Sequence, residues 1–192
     1  MIAIIKYNGG NVNSVQNALN RLDVESIITD DFELIQKADK VIFPGVGEAS
    51  STMELLKEKR LDQLIPTLKQ PVLGICLGMQ LMCKNNEEGN TEGLGIFDIN
   101  VKKFPSKEIV PHMGWNTISG LKSSLFSEIN DENDVYFVHS YYCELSKYTT
   151  SVCDYILPFS ASLQKDNFFA TQFHPEKSGK IGAELLHNFL KL

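Results

Sequence analysis

The sequence predicts an α/β fold: a central, mostly parallel sheet flanked by helices, with added antiparallel strands in the C-terminal half. Three observations carry this. Short β-branched or apolar runs alternate with helical spacings as far as residue 76, the pattern of strands joined by crossover helices and covered on both faces. From about Gly93 the texture changes to many short strand-like runs joined by polar turns, a spacing that favours antiparallel pairing. A helical pattern closes the chain, and no repeat, linker or charge block divides it, so residues 1–192 read as a single domain.

Composition fits that reading. The 192 residues carry 18 Lys and Arg against 24 Asp and Glu, and 43% are apolar, close to the globular average and too apolar for disorder. A compact domain of this length buries roughly 70% of its unfolded surface, enough for a core without covalent staples. The longest mainly apolar stretch, residues 72–83, is interrupted by Gly74, Gly78 and Gln80 and falls short of the ~18 residues a membrane helix needs. The apolar N-terminus meets Lys6 too soon for a secretory segment, so a cytoplasmic location is expected. A net charge of −6, with no basic cluster longer than Lys102-Lys103, argues against a nucleic-acid partner. Four cysteines without a C-x-x-C pair indicate neither a disulfide scaffold nor a zinc site; no metal or other cofactor is expected.

Taken in order, Ile2–Ile5 reads as a buried strand. Val12, Val15, Leu19 and Leu22 then recur at helical spacing behind Asn11, a candidate N-cap. Ser26–Thr29 is a second strand, Asp30 or Asp31 caps a short helix through Leu34, and residues 40–43 form a third strand ending at Pro44-Gly45. Met53, Leu55 and Leu56 are the apolar positions of a helix over residues 49–59, and Pro66 breaks or restarts the next segment. Residues 72–75 form a fourth strand that runs into Cys76, and residues 77–84 continue as helix. Short strands are expected at 97–104, 116–118, 135–139, 142–145, 152–157 and 168–173. Ile181, Leu185, Leu186 and Phe189 mark the apolar face of a last helix, capped by Ser178.

The sharpest chemical signal is Gly74-Ile75-Cys76-Leu77-Gly78, a G-x-C-x-G between a strand and a helix. A nucleophile on such an elbow sits in strained backbone, and flanking glycines let a neighbouring chain approach without Cβ clashes. Helix N-termini favour negative charge, which suits a thiolate. A thiolate needs a base and an orienter, and His174-Pro175-Glu176 comes directly after the last predicted strand. If that tripeptide is extended, residues 174 and 176 face one side, and Glu176 can fix the His174 tautomer while the other ring nitrogen serves the thiol. Pro44-Gly45-Val46-Gly47, directly after the third strand, is a Gly-rich turn able to aim N–H groups at a developing oxyanion. Leu77 is one expected donor and Val46 or Gly47 the second.

Other eye-catching residues have plainer readings. His112, His139 and His187 lack close metal-ligand spacing and read as structural or exposed. Cys83 reads as core on the helix that starts after Cys76, and Cys143 and Cys153 as strand residues without an assigned task. Trp115, beside Gly114 and Asn116, fits either core or an interface anchor.

Together these pieces resemble the triad-type (class I) glutamine amidotransferases, in which Cys, His and Glu hydrolyse glutamine and pass ammonia to a synthase. Five segments are similar to one branch of that family: Gly74-Ile75-Cys76-Leu77-Gly78-Met79-Gln80-Leu81, Pro44-Gly45-Val46-Gly47, Pro111-His112-Met113-Gly114-Trp115-Asn116, Phe137-Val138-His139-Ser140-Tyr141 and Gln172-Phe173-His174-Pro175-Glu176-Lys177-Ser178. That branch comprises the glutaminase subunits of imidazole glycerol phosphate synthases, from histidine biosynthesis. The resemblance implies Cys76 as nucleophile, His174 as acid/base and Glu176 as its orienter. It implies glutamine held near Gly47, Gln80, Ser140 and Tyr141, with Glu88 a partner for the α-ammonium group. It further implies a separate (β/α)₈-barrel cyclase, bound as a heterodimer, that uses the ammonia to make imidazole glycerol phosphate and an aminoimidazole carboxamide ribonucleotide. Asn11, Trp115, Tyr136 and Lys177 match positions at or near that interface. In this branch the P-G-V-G loop withholds its oxyanion donor until the partner holds its ligand, so very low activity is expected of the chain alone.

The segment Ile5-Lys6-Tyr7-Asn8-Gly9-Gly10-Asn11 departs from the family, with Lys6 and Asn8 where Asp and Gly are more frequent. Two alternatives stay open on the sequence: a paralogous glutaminase feeding a synthase that amidinates surface sugars, and a stand-alone elbow-cysteine hydrolase.

Overall fold

Apolar runs that are buried on both faces must pair their backbones with one another, and the runs of the first half do so in parallel. A computed structural model describes residues 1–7 and 11–192; Lys6 is exposed, and Asn8 lies outside the described residues. The elements begin β1 (Ile2–Ile5), α1 (Val12–Asn20), β2 (Ser26–Thr29), α2 (Phe32–Lys37), β3 (Lys40–Gly45), α3 (Ala49–Glu58), α4 (Leu61–Leu64), β4 (Val72–Cys76) and α5 (Leu77–Met82). They continue as β5 (Cys83–Asn86), β6 (Thr91–Glu92), β7 (Phe97–Lys103), β8 (His112–Ser119), β9 (Asn133–His139), β10 (Tyr141–Cys143), β11 (Thr149–Tyr155), β12 (Leu157–Lys165), β13 (Phe168–Thr171) and α6 (Gly179–Lys191).

The main sheet has nine strands in the order β2-β1-β3-β4-β13-β12-β11-β8-β9. The four pairings from β2 to β13 are parallel and the four from β13 to β9 antiparallel, so the sheet is evenly mixed, with its parallel part where the sequence places it. Alternate residues of β1 serve opposite cores. Ala3 and Ile5 pack in a cluster with Met53 and Leu56 of α3 and Leu77 and Leu81 of α5, while Ile2 and Ile4 pack in a cluster with Val15 and Leu19 of α1 and Leu185 and Phe189 of α6. Among the described residues no helix is long and apolar enough to cross a membrane.

Several local expectations are corrected. The helix after Cys76 stops at Met82 rather than residue 84, because Cys83 turns extended and pairs with Phe97 in a second sheet, β10-β7-β5-β6. The returning chain secures this exit: Leu94 N donates to Leu81 O and Gly93 N to Lys84 O, and a Cβ on Gly93 would stand 2.1 Å from Cys83 O. Cys83 is therefore a core residue of a strand, not of α5. The expected strand 152–157 is two strands, because Ile156 adopts φ +62° and lets β11 fold back on β12 as a hairpin. Asn11 occupies the N-cap position of α1 and Ser178 that of α6, yet neither side chain caps. Asp31 does cap α2, accepting from Leu34 N at 3.0 Å, and Pro66 sits in a single 3₁₀ turn.

The site is positioned by a close approach of two backbones. β3 lies beside β4 with Gly45 opposite Cys76. A Cβ on Gly45 would stand 2.5 Å from Gly78 N, and one on Gly78 would stand 2.0 Å from Phe43 O. Neither position tolerates a side chain while β3 and the elbow stay in contact. Gly78→Ala is accordingly expected to cost about 3 kcal/mol or more, whereas Gly120→Ala, strained only by φ +67° with open space around it, costs about 1 kcal/mol. Urea denaturation of the two variants checks this; equal midpoint shifts would contradict the close approach.

Candidate active site

Cys76 ends β4 and precedes α5 with φ 54° and ψ −110°, backbone geometry that an L-residue keeps only when its surroundings enforce it. That turn aims the thiol at a cavity of about 410 Å³ lined by Val46, Gly47, Cys76, Leu77, Gln80, Glu88, Pro111, Val138, His139, Ser140, Tyr141 and His174. Every residue that the sequence assigns to nucleophile, oxyanion or glutamine contact lines this cavity. Leu77 is the first helical residue, where a backbone N–H has no intrahelical acceptor.

His174 comes after β13 and is buried, its Nδ1 2.8 Å from Glu176 Oε1. The predicted contact is made by another route, since Pro175–Lys177 form a 3₁₀ turn rather than an extended strand. The Glu176 carboxylate only accepts, so Nδ1 carries hydrogen and Nε2 is the nitrogen left for chemistry. Among the described residues, His174 Nε2 and Glu176 Oε2 are buried without a hydrogen-bond partner. Burial works against the imidazolium, but the Cys76 sulfur and the Glu176 carboxylate outweigh it and lift the His174 pKa to about 10. Ser178 Oγ fixes this turn, donating to His174 O at 2.6 Å and accepting from Tyr136 N at 3.0 Å, while His174 N donates to Tyr136 O at 2.9 Å.

The candidate oxyanion turn is engaged from behind. Tyr7, fully buried, donates from its hydroxyl to Pro44 O at 2.6 Å. Burial and nearby Cys76 push the Tyr7 pKa up, and the Val46 N–H facing its oxygen pulls the other way. The turn is thus tied to Tyr7 through Pro44 O, while Gly47 holds φ +117°. At the far end of the cavity Glu88 Oε2 accepts from Ala49 N at 3.0 Å; burial raises its pKa, that N–H opposes the rise, and the Glu48 carboxylate adds to it. Glu48 itself caps α3, and donors from Ser50 and Ser51 bring its pKa to about 2.

Sequence reasoning missed three further groups at the site. His139 lines the cavity, and its buried ring is one link in an ordered relay. Its Nδ1 lies 2.7 Å from Tyr141 O, which only accepts, so Nδ1 donates. His139 Nε2 must then accept from His112 Nδ1 at 2.9 Å, and His112 Nε2 from Asn116 Nδ2 at 3.3 Å. Burial lowers the pKa of His112 to about 4 and, outweighing the Tyr141 carbonyl that favours the charged ring and helped by nearby His174, that of His139 to about 3, so both rings stay neutral. Gln172 is the second group and Tyr7 the third. Gln172 stands two residues before His174 at a strand exit, a spacing that could have flagged it; Tyr7 carries no such signal.

Of the expected interface residues, Trp115 and Tyr136 face each other across β8 and β9 with ring centroids 6.1 Å apart, and Lys177 Nζ lies 5.7 Å from the Tyr136 ring. Trp115 is 57% exposed, which settles it as a surface residue. Asn11 lies at the head of α1, half-buried.

A family model described as glutamine amidotransferase class-I matches residues 3–192. The chain is 62% identical over 194 residues to "Imidazole glycerol phosphate synthase subunit HisH" of Bacteroides fragilis (strain YCH46), covering 100% of this chain and 99% of that one. It is 46% identical to the subunit of the same name from Pasteurella multocida, covering 99% and 97%. Solved structures share the fold at low identity: PurLQS from Thermotoga maritima has a TM-score of 0.77 at 13% identity over 99% of this chain and 97% of that one. A glutamine amidotransferase from the same organism has 0.64 at 16% over 99% and 82%.

The raised His174 pKa has a consequence for stability. Between an unfolded value of about 6.5 and the folded value of about 10, the folded chain holds a proton that the unfolded chain has released. This contribution is complete below the unfolded pKa and is lost as pH rises through the folded one. Glu176→Gln removes one of the groups that raise the pKa and is expected to flatten the fall in urea stability between pH 7 and 9.5. Equal slopes in both proteins would refute this origin.

Proposed function

Because the chain belongs to the class-I glutamine amidotransferase family, we propose that Cys76, His174 and Glu176 hydrolyse glutamine. The chain is a glutaminase whose ammonia feeds the synthesis of imidazole glycerol phosphate in histidine biosynthesis. The observation that carries the site assignment is the convergence, on one cavity, of an elbow cysteine and a histidine whose other nitrogen is held by a buried carboxylate.

Glutamine binds with its carboxamide at Cys76 Sγ and its α-ammonium group at Glu88, between Gly47, Ser140 and Tyr141. His174 already holds the proton on Nε2 at neutral pH, and Sγ attacks the carboxamide carbon as the thiolate. The same proton moves on to the leaving nitrogen, so that ammonia departs and a glutamyl thioester remains. Water, deprotonated by the freed Nε2, then releases glutamate. Leu77 N–H supports the oxyanion. A second donor comes from Val46 or Gly47, both of which line the cavity, and loss of such a donor typically costs roughly 3 kcal/mol of transition-state stabilisation. Gln80 contributes mainly by bracing the wall, since both its amide hydrogens are committed to Tyr141 O and Gln172 Oε1.

The partner is a (β/α)₈-barrel cyclase, joined as a heterodimer through Trp115, Tyr136 and Lys177 with Asn11, and the pair works in the cytoplasm. An exposed tryptophan set edge-on against a lysine-covered tyrosine is the composition of an interface anchor. The chain acts as one domain over residues 1–192.

Glutamate release from glutamine, measured with the cyclase of the same organism with and without its nucleotide substrate, tests the proposal. Large stimulation by partner plus nucleotide is expected. Cys76→Ala should fall to background, and His174→Asn by roughly a thousandfold or more. Glutamate release that persists in Cys76→Ala would refute the assignment.

A further inference from the structure

The sulfur of Cys76 has two close polar neighbours outside the triad. Gln172 Nε2 lies 3.7 Å from Sγ as a donor, and the Val138 carbonyl lies 3.8 Å away on β9. A side-chain amide can be drawn either way round, but here its orientation is forced. The Tyr141 carbonyl only accepts, so the Gln80 atom 2.9 Å from it is Nε2. The second hydrogen on that nitrogen points to Gln172, 3.0 Å away, which must therefore present Oε1. The other end of the Gln172 amide, the end that meets sulfur, is its NH₂ group. Gln172 is fully buried and Gln80 is 4% exposed, and the Gln172 backbone is pinned by its own N–H donating to Ala161 O at 2.8 Å. Nothing in this arrangement is free to turn without leaving a buried polar atom unpaired.

We propose that Gln172 is a catalytic residue that steadies the Cys76 thiolate through its amide N–H, and that Gln80 is the positioning residue that keeps that N–H aimed at sulfur. The inference rests on Cys76 being the nucleophile of the proposed glutaminase. A buried anion needs fixed donors, and the Val138 carbonyl dipole works against one. The ionisable groups around the sulfur are His174 from the turn after β13, Tyr7 from the end of β1 and His139 from β9, the last held neutral. His174 gives up its proton to the leaving nitrogen during turnover, so a donor that cannot be deprotonated keeps the sulfur stabilised when the thioester breaks and the thiolate returns.

The test is the pH profile of Cys76 alkylation by iodoacetamide in the full chain, read by peptide mass. Gln172→Met keeps side-chain length and removes the donor. Alkylation at pH 7 is expected to slow about fivefold or more, with the profile displaced to higher pH, and kcat of partner-stimulated glutamate release should fall while KM for glutamine holds. Should this variant fail to fold by circular dichroism, Gln172→Glu retains the acceptor for Gln80 and still lacks the donor; a larger displacement in the same direction is expected. A folded Gln172 variant with the wild-type alkylation profile overturns the proposal, whatever its kcat. Failure of the underlying reading looks different: glutamate release would then survive in Cys76→Ala.

Discussion

Two stretches of backbone, β3 and the elbow after β4, touch with no side chain between them, and the candidate site depends on that contact. Gly45 and Gly78 are the residues that permit it. With Gly78 lying against Phe43 O, the chain leaving β4 has no room to continue as strand and must turn at once. Cys76 absorbs the turn at φ 54°. The same contact sets the Pro44–Gly47 turn beside the thiol, so Cys76 and the candidate oxyanion donors line one cavity. A side chain at either glycine would separate chemical groups that are distant in sequence, which makes the packing and the chemistry one constraint.

Elements whose local signals agree with their tertiary role were legible in the sequence. β1, β2 and β4 are apolar runs with no competing pattern, and Asp31 caps α2 as its type predicts. The features that sequence did not reveal depend on distant partners. Cys83 leaves the helix because Phe97 offers it a strand to pair with, and Ile156 takes a positive φ that no β-branched residue advertises. Ser178 looks like a helix cap, yet its hydroxyl serves Tyr136 and His174 instead. At the candidate site, the convergence of Cys76, His174 and Glu176 was readable because an elbow cysteine and a His-Pro-Glu at a strand exit are restrictive patterns. Tyr7 and His139 were not, since a buried hydroxyl or ring acquires its role only from what the fold sets opposite it.

Buried polar groups around the cavity are satisfied in a directed way. From Asn116 through His112 and His139 to Tyr141 O, each hydrogen has one acceptor, and the lone pairs of Tyr141 O also receive Gln80. Such a relay is rigid, because reversing one link leaves a neighbour unpaired at a cost of about 1–3 kcal/mol. Against that background the unpartnered His174 Nε2 is informative. The nitrogen to which the proposed mechanism assigns proton transfer is the one the fold leaves uncommitted, while the other is tied to Glu176.

The outer edge of the sheet joins this site to the exposed aromatic face. β9 is the last strand of the main sheet, and an edge strand presents unpaired backbone groups that a protein must cover. At Tyr136 they are covered by the turn that carries His174 and Glu176: Tyr136 N donates to Ser178 Oγ, and Tyr136 O accepts from His174 N. The ring of the same residue stands beside Trp115 and under Lys177. One tyrosine therefore shows its side chain to the outside and holds the His174 turn with its backbone. A shift of β9 at Tyr136 cannot leave His174 where it is, because the two share a hydrogen bond. The exposed face and the candidate site are coupled by one peptide unit, and no longer path through the core is needed to connect them.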